Sequence, residues 1–273
     1  IALGKLALNQ DNKTEAQKQF RKAVELAPDS RQALQGLASV LDQEETERFM
    51  RQVLEKNPEA TGPRLVLLEL ALRQGNGREA DNLTASLLER DEESTPSRAA
   101  PLVANIYNNI AANLRQSGDS DRASAVLNRG RALFPDNEEI SLQAAQQAFS
   151  ARNVDEARNI LQDAKQQHPD SPRPYLMEAR YFESQGQNQQ AAEFYQLAMD
   201  KQPSAGIINA HAAVLQDSGK QAAALSLLYS GIDTFPDSLQ LRLRLALLQQ
   251  SEGEQDKAKA NYEKLLDSMP KNT

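Results

Sequence analysis

Large apolar residues recur along this chain at a fixed interval, with small residues at fixed distances on either side. Phe20, Met50, Leu127, Leu161, Tyr195, Leu228 and Tyr262 each stand eight residues before a proline. Four residues earlier come Ala16, Thr46, Ala123, Ala157, Ala191, Ala224 and Ala258. Three residues later come Ala23, Gly130, Ala164, Ala198 and Gly231, with Val53 and Leu265 as larger exceptions. Residues three and four apart share one helical face, so the pattern predicts a helix whose packing face reads small, large, small. Another helix can approach closely over the small residues while the large one fills the remaining groove. Pro135, Pro169, Pro203, Pro236 and Pro270 follow one another at 34, 34, 33 and 34 residues and would stop each helix.

Seventeen residues before the prolines stand Gly118, Gly186, Gly219 and Gly253, with Asp11 and Arg152 in the same slot of two other copies. Glycine there supplies the positive φ that ends a helix. A first helix precedes this turn, with a small residue near its crossing point at Gly4, Ala111, Ala145, Ala179, Ala212 and Ala246. Each period is then helix, tight turn, helix and a proline-bearing loop. A period of this length means stacked repeats and not one globular domain.

The clearest copy reads Tyr175, Glu178, Ala179, Phe182, Ala191, Tyr195, Ala198 and Pro203. This resembles the tetratricopeptide repeat, whose signature is small, small, large aromatic, small and proline over 34 residues. The resemblance implies an all-α fold: an α-solenoid, wound as a right-handed superhelix, of about eight antiparallel helix-turn-helix units. It would run as a single solenoid over residues 1–273, with units near 1–30, 31–60, 61–94, 104–137, 138–171, 172–205, 206–238 and 239–273. Pro28 to Pro58 spans only 30 residues, which predicts a shortened turn around Asp42 to Glu45. The third unit has Gly75 and Ala80 in register but Glu92 where a proline is expected. The extra residues 95–103, carrying Pro96 and Pro101, read either as a longer surface loop or as a hinge or partner-contacting loop.

Composition agrees with a thin helical stack. Hydrophobic residues make up 40% of the chain but aromatics only 5%, with no Trp, and the mean hydropathy of -0.64 and the lack of a long apolar run leave no membrane span. The net charge of -7 arises from 31 basic and 38 acidic residues without long blocks of either sign, which argues against a nucleic-acid partner. Absence of cysteine removes disulfides, thiol chemistry and most structural zinc sites. A start at Ile1 and an end at Lys271-Asn272-Thr273 read as a mature or trimmed piece of a longer protein.

Catalytic and cofactor chemistry finds no foothold. The two histidines, His168 beside Pro169 and His211 on a first helix, have no cysteine to join them, and His211 reads as a packing or surface residue. Gly75-Asn76-Gly77 follows a helix and not a strand, so it reads as the inter-helix turn instead of a phosphate loop. No catalytic, cofactor-binding or metal-binding residues are assigned, no cofactor is expected, and the chain is expected not to be an enzyme. Asn12-Lys13-Thr14 and Asn82-Leu83-Thr84 match the short glycosylation triplet.

In the tetratricopeptide family the first helices line a concave groove, and the resemblance assigns groove positions to Asn108, Arg115, Gln146, Arg173, Arg180, Asn209, Gln216, Gln240, Leu243, Leu247 and Gln250. With Tyr181 beside Arg180, their amides and guanidinium groups suit peptide backbone, carboxylates or sugar hydroxyls. Leu142, Leu176 and Leu243 stand beside Asn108 and Asn209 where one family group grips acidic chaperone tails with Lys and Asn, so that role is not expected. The expected function is a scaffold binding a protein or peptide, with Arg173, Arg180 and Tyr181 best placed for an acidic segment. The Gln- and Asn-rich, degenerate units are similar in style to bacterial repeat proteins of exopolysaccharide export and surface-protein sorting. That resemblance favours a periplasmic or lipid-anchored place in the bacterial envelope over the cytoplasm. Two alternatives stand: a helical arm of a larger enzyme or outer-membrane porin, and a direct polysaccharide-binding module.

Overall fold

The computed structural model describes residues 1–88 and 99–268. These form sixteen helices, and no strand occurs among the described residues. The helices pair as α1 (Ala2–Asn9) with α2 (Lys13–Leu26), α3 (Arg31–Ala38) with α4 (Gln43–Lys56), α5 (Thr61–Gln74) with α6 (Gly77–Leu88), and α7 (Ala100–Gln116) with α8 (Ser120–Leu133). The series continues with α9 (Glu138–Ser150) and α10 (Val154–Gln167), α11 (Arg173–Ser184) and α12 (Asn188–Lys201), α13 (Ala205–Asp217) and α14 (Gln221–Thr234), and α15 (Leu239–Ser251) and α16 (Gln255–Ser268). The fold is an α-solenoid made of two compact units, Ile1–Gln143 and Ala144–Thr273, each a stack of helix pairs.

The turn inside each pair is the same device in seven of the eight. Gly75, Gly118, Gly186, Gly219 and Gly253 adopt positive φ between 70° and 84°, and Asp11 and Arg152 do so at 57° and 63°. The residue after each reaches back five positions to a carbonyl of the first helix, as in Asn12 to Ala7 at 2.9 Å and Asp119 to Leu114 at 2.9 Å. This is the Schellman closure, which satisfies carbonyls left open by the helix end. The same residue then starts the second helix: the side chains of Asn12 and Asp119 accept from the amides of Glu15 and Arg122 at 3.1 and 3.2 Å. At Asn12 and Asp119 one residue therefore ends the first helix and caps the second, which keeps the turn short.

Second helices stop where the prolines predict. Phe134, His168 and Phe235, each just before a proline, take φ near -125° and ψ near 68°, outside the α region that a following proline disfavours.

Core packing follows the small, large, small slots. Ala16, Ala123, Ala157, Ala191 and Ala224 have no exposed surface, and Phe20, Met50, Leu127, Leu161, Tyr195 and Leu228 are buried between helices. Phe20 is clasped by two glycines: a Cβ on Gly4 would sit 2.8 Å from Cε1 of its ring, and one on Gly36 would fall closer still. In the third unit the large residue is replaced by Thr84. Tyr107 from α7, itself fully buried, occupies the space and places its hydroxyl 3.1 Å from that of Thr84. Burial moves the Tyr107 hydroxyl above the usual phenol range, with the Thr84 contact opposing it.

Two expectations need correction. The 30-residue unit is short because α3 has only 8 residues and ends a turn early. Asp42 is the N-cap of α4, accepting from the Glu45 amide at 2.8 Å, and Gln43 to Glu45 are already helical. The extra segment 95–103 is helical from Ala100, with Pro101 in the first turn of α7 where a missing amide costs nothing. Its residues 95–98 lie outside the described residues, as do Glu92 and Pro270.

Two stability outcomes follow. Arg152→Gly relieves a left-handed residue and should raise unfolding free energy by about 0.5–1 kcal/mol, whereas Gly118→Ala should lower it by about 1 kcal/mol although open space surrounds its Cβ position; urea denaturation measures both. Gly36→Ala gains about 1 kcal/mol of helix propensity but drives a methyl into the Phe20 ring at a cost of about 1–3 kcal/mol. A net loss is expected, and a more stable variant would show that the ring can move aside.

Candidate functional site

The residues expected to line a groove divide between the two compact units. Asn108 and Arg115 lie in Ile1–Gln143, and the others lie in Ala144–Thr273. Asn108 is 6% exposed with its Oδ1 buried and without a partner, so it is a packing residue in this structure and not one presented to solvent. Arg115 is half-buried near the end of α7.

Within Ala144–Thr273 the first helices present a polar face. Gln146, Arg173, Arg180, Gln240 and Gln250 are exposed, and Tyr181, Asn209 and Gln216 are half-buried. Tyr181 stacks on Phe149 from α9 with ring centroids 4.1 Å apart and planes inclined by 13°. Arg180 bears on the Tyr195 hydroxyl, which donates to Glu183 Oε2 at 2.5 Å. Burial, and next the Glu183 carboxylate, push that hydroxyl well above the usual phenol range. The Nε of Arg244 donates to Asn209 Oδ1 at 2.5 Å, tying α15 to α13. Gln250 is engaged by Tyr262, whose hydroxyl donates to its Oε1 at 2.8 Å. Leu239, Leu243 and Leu247 form an exposed stripe along α15.

Charge on three of these first helices runs against that of the chain. α11, α13 and α15 carry Arg173, Arg180, Arg242 and Arg244, against three carboxylates, Glu178, Glu183 and Asp217. Glu178 is 3% exposed and is covered by the Lys165 ammonium, with Arg158 Nε at 3.9 Å. Lys165 also lies 4.6 Å from the Tyr175 ring centroid and 5.4 Å from that of Phe194. Sequence reasoning recognised Glu178 as part of the repeat signature but not this cluster. The signal was present, since Lys165 sits four residues before a proline and Glu178 twenty-five before the next.

His211 is a packing residue, 6% exposed, with Nδ1 3.5 Å from Met199 Sδ and its ring stacked on Tyr195 at 6.3 Å. Burial lowers its pKa below the usual imidazole range. Among the described residues no group of acidic or histidine side chains could hold a metal ion, and no helix is long and apolar enough to cross a membrane. Gly75 to Gly77 forms the α5–α6 turn, with the Asn76 side chain accepting from the Glu79 amide at 3.4 Å. Thr84, part of one glycosylation triplet, is fully buried.

Comparison with known proteins agrees with this architecture. Family models described as tetratricopeptide repeat match residues 1–54, 114–181 and 240–272. The chain carries tetratricopeptide repeats. Among solved structures it is similar to yeast Tom70, with 16% identity and a TM-score of 0.52 over 95% of this chain and 55% of that one. The likeness to MamA has 19% identity and a TM-score of 0.48 over 60% of this chain and 91% of that one. For YrrB, described as a tetratricopeptide-repeat protein with an unusual peptide-binding site, the figures are 17% and 0.44 over 62% and 88%. No match is found among curated protein sequences.

His211 generates a pH prediction. Its pKa is lower in the folded state than in the unfolded chain, so the unfolded state binds more protons as pH falls. The contribution is complete above about pH 6.5 and is lost as pH falls toward the folded pKa. Urea midpoints should therefore drop between neutral pH and pH 5 by less in His211→Gln than in the wild type. Equal drops would assign the acid sensitivity to other groups.

Proposed function

We propose that this chain is a non-catalytic scaffold that binds a protein or peptide partner on the first-helix face of residues 144–273, and that the partner segment is acidic. The observation that carries this reading is the charge of the helices that build that face. α11, α13 and α15 carry four arginines against three carboxylates, one of them buried under Lys165, within a chain of net charge -7. Guanidinium groups favour carboxylates through paired, charge-assisted hydrogen bonds. Beside them the Phe149–Tyr181 stack and the leucines of α15 offer apolar contact. An acidic segment with apolar side chains fits both features.

The setting we propose is a bacterial envelope assembly for exopolysaccharide export or surface-protein sorting. Its support is the similarity of style noted in the Gln- and Asn-rich, degenerate units. A catalytic or β-barrel segment within the same reading frame would instead favour a helical arm of a larger enzyme or porin. Direct polysaccharide binding is less well supported, because aromatics that could stack on sugars are largely committed to packing, as with Phe20, Tyr107 and Tyr195.

Fluorescence anisotropy with labelled peptides of Glu and Leu, compared with Gln-for-Glu counterparts, tests the reading. The acidic peptides should bind more tightly and lose affinity with added salt. Replacing Arg173 and Arg180 together by Gln should weaken them about tenfold, equivalent to about 1.4 kcal/mol, while the melting temperature stays close to the wild type. Unchanged affinity would remove these arginines from the site, and turnover of a substrate abolished by a single substitution would overturn the non-catalytic reading.

A further inference from the structure

We propose that a cleft along α2, within Ile1–Gln143, binds a phosphate group held by Lys18, Arg21 and Lys22. These three side chains line the cleft together with Thr14, Gln17 and Glu25, around a volume of about 520 Å³. Helix residues three and four apart have Cβ atoms about 5–6 Å from each other, so one turn of α2 brings all three cations to a single patch. Two lining residues are already fixed by the following helix pair. Gln17 Nε2 donates to the Val40 carbonyl at 2.8 Å, and the Arg21 guanidinium lies over the Phe49 ring of α4, 5.0 Å from its centroid. Arg21 is thus half-buried and held on an aromatic face, while Lys18 and Lys22 are exposed.

The charges of this patch break a rule that neighbouring helices keep. On α4, Glu44 pairs with Arg48 and Glu47 with Arg51, and on α5 Glu69 pairs with Arg73, all four residues apart and of opposite sign. On α2 the residues at that spacing are Lys18 and Lys22, with Arg21 between them, and like charges so placed destabilise a helix. Glu15 does not relieve them, since its carboxylate accepts from Gln19 Nε2 at 2.7 Å. Among the described residues no carboxylate, Glu25 included, lies within ion-pair distance of the three cations. A local choice that works against its own helix marks a place where function sets the residues.

The matching cleft on α10 shows the balanced case. It begins fourteen residues before its proline, as the α2 cleft does, and has a volume of about 530 Å³. There Arg158 and Lys165 face Asp155 and Glu178, so positive and negative groups are equal in number. On α2 the missing negative charge must come from a ligand. A carboxylate brings one charge and two oxygens, which engage Arg21 and leave two ammonium groups opposed. A phosphate group brings about 1.5 to 2 charges and three acceptor oxygens, enough for a charge-assisted hydrogen bond to each cation. Its binding also cancels the repulsion between Lys18 and Lys22, so ligand and helix stabilise each other. The site lies on a second helix of the other compact unit from the arginine-bearing helices assigned to partner binding, so either reading can fail alone.

Amide shifts followed by NMR at constant ionic strength test the proposal, with inorganic phosphate, a short peptide carrying one phosphoserine, and the same peptide with glutamate in its place. Inorganic phosphate and the phosphopeptide should give saturable shifts centred on residues 14–25 and Phe49 and should compete, while the glutamate peptide binds more weakly. A phosphopeptide that binds tighter than inorganic phosphate identifies a phosphorylated side chain as the source of the group, and equal affinities identify a small phosphate ester. Lys18→Gln combined with Lys22→Gln should weaken both ligands about tenfold. Without ligand the same variant should melt at or slightly above the wild-type temperature, because the repulsion is gone. The proposal is overturned by shifts that do not saturate, by a glutamate peptide that binds as tightly as the phosphopeptide, by wild-type affinity in the double variant, or by a double variant that melts well below the wild type.

Discussion

Everything in this molecule depends on the fact that a helix pair cannot bury its own large side chain. Leu161, Tyr195 and Leu228 lie on the second helices, and the surface that removes them from water comes partly from the pair that follows. Stability is therefore a nearest-neighbour property, distributed along a line instead of gathered in one centre. The alanines four residues earlier exist for the same reason, because only a short side chain lets the two backbones approach near enough for the large one to be enclosed. The half-buried state of Tyr262 shows the dependence directly, since that slot has no following pair among the described residues.

The repeat was legible because its slots are set by distance along the chain, and distance survives changes of residue type. Asp11 and Arg152 show this best: they stand in the slot that elsewhere holds glycine, read as departures from the glycine turn, and both adopt the same left-handed backbone. Compensations between distant residues were not legible. Nothing near Thr84 in sequence says that Tyr107, 23 residues away on the next helix, supplies the missing volume. The shortened second unit was detectable from its proline spacing, but spacing does not tell which helix lost the residues, and the loss fell on α3.

The first-helix surface was only partly readable. Position within the repeat expects Gln146, Arg173, Arg180, Gln240 and Gln250 on a groove, and all five are exposed. Asn108, expected there by the same rule, is buried. Net charge says nothing of how the charges are distributed. Within residues 144–273 the first helices carry four arginines and the second helices only Arg158, while acidic residues stand mainly on the second. Only the assignment of helices to faces separates the two populations.

The junction chemistry has a consequence for how such a chain avoids folding wrongly. Similar units in tandem invite a pair to dock on the wrong neighbour, because the apolar slots are nearly interchangeable. Glu178 is not interchangeable. Docked on α12 instead of α10, its carboxylate would face the thioether of Met199 in place of the Lys165 ammonium, and a buried charge without its counter-ion costs several kcal/mol or must take up a proton. An ion pair of little worth to net stability thus acts as an address, telling one repeat which of its near-copies to follow.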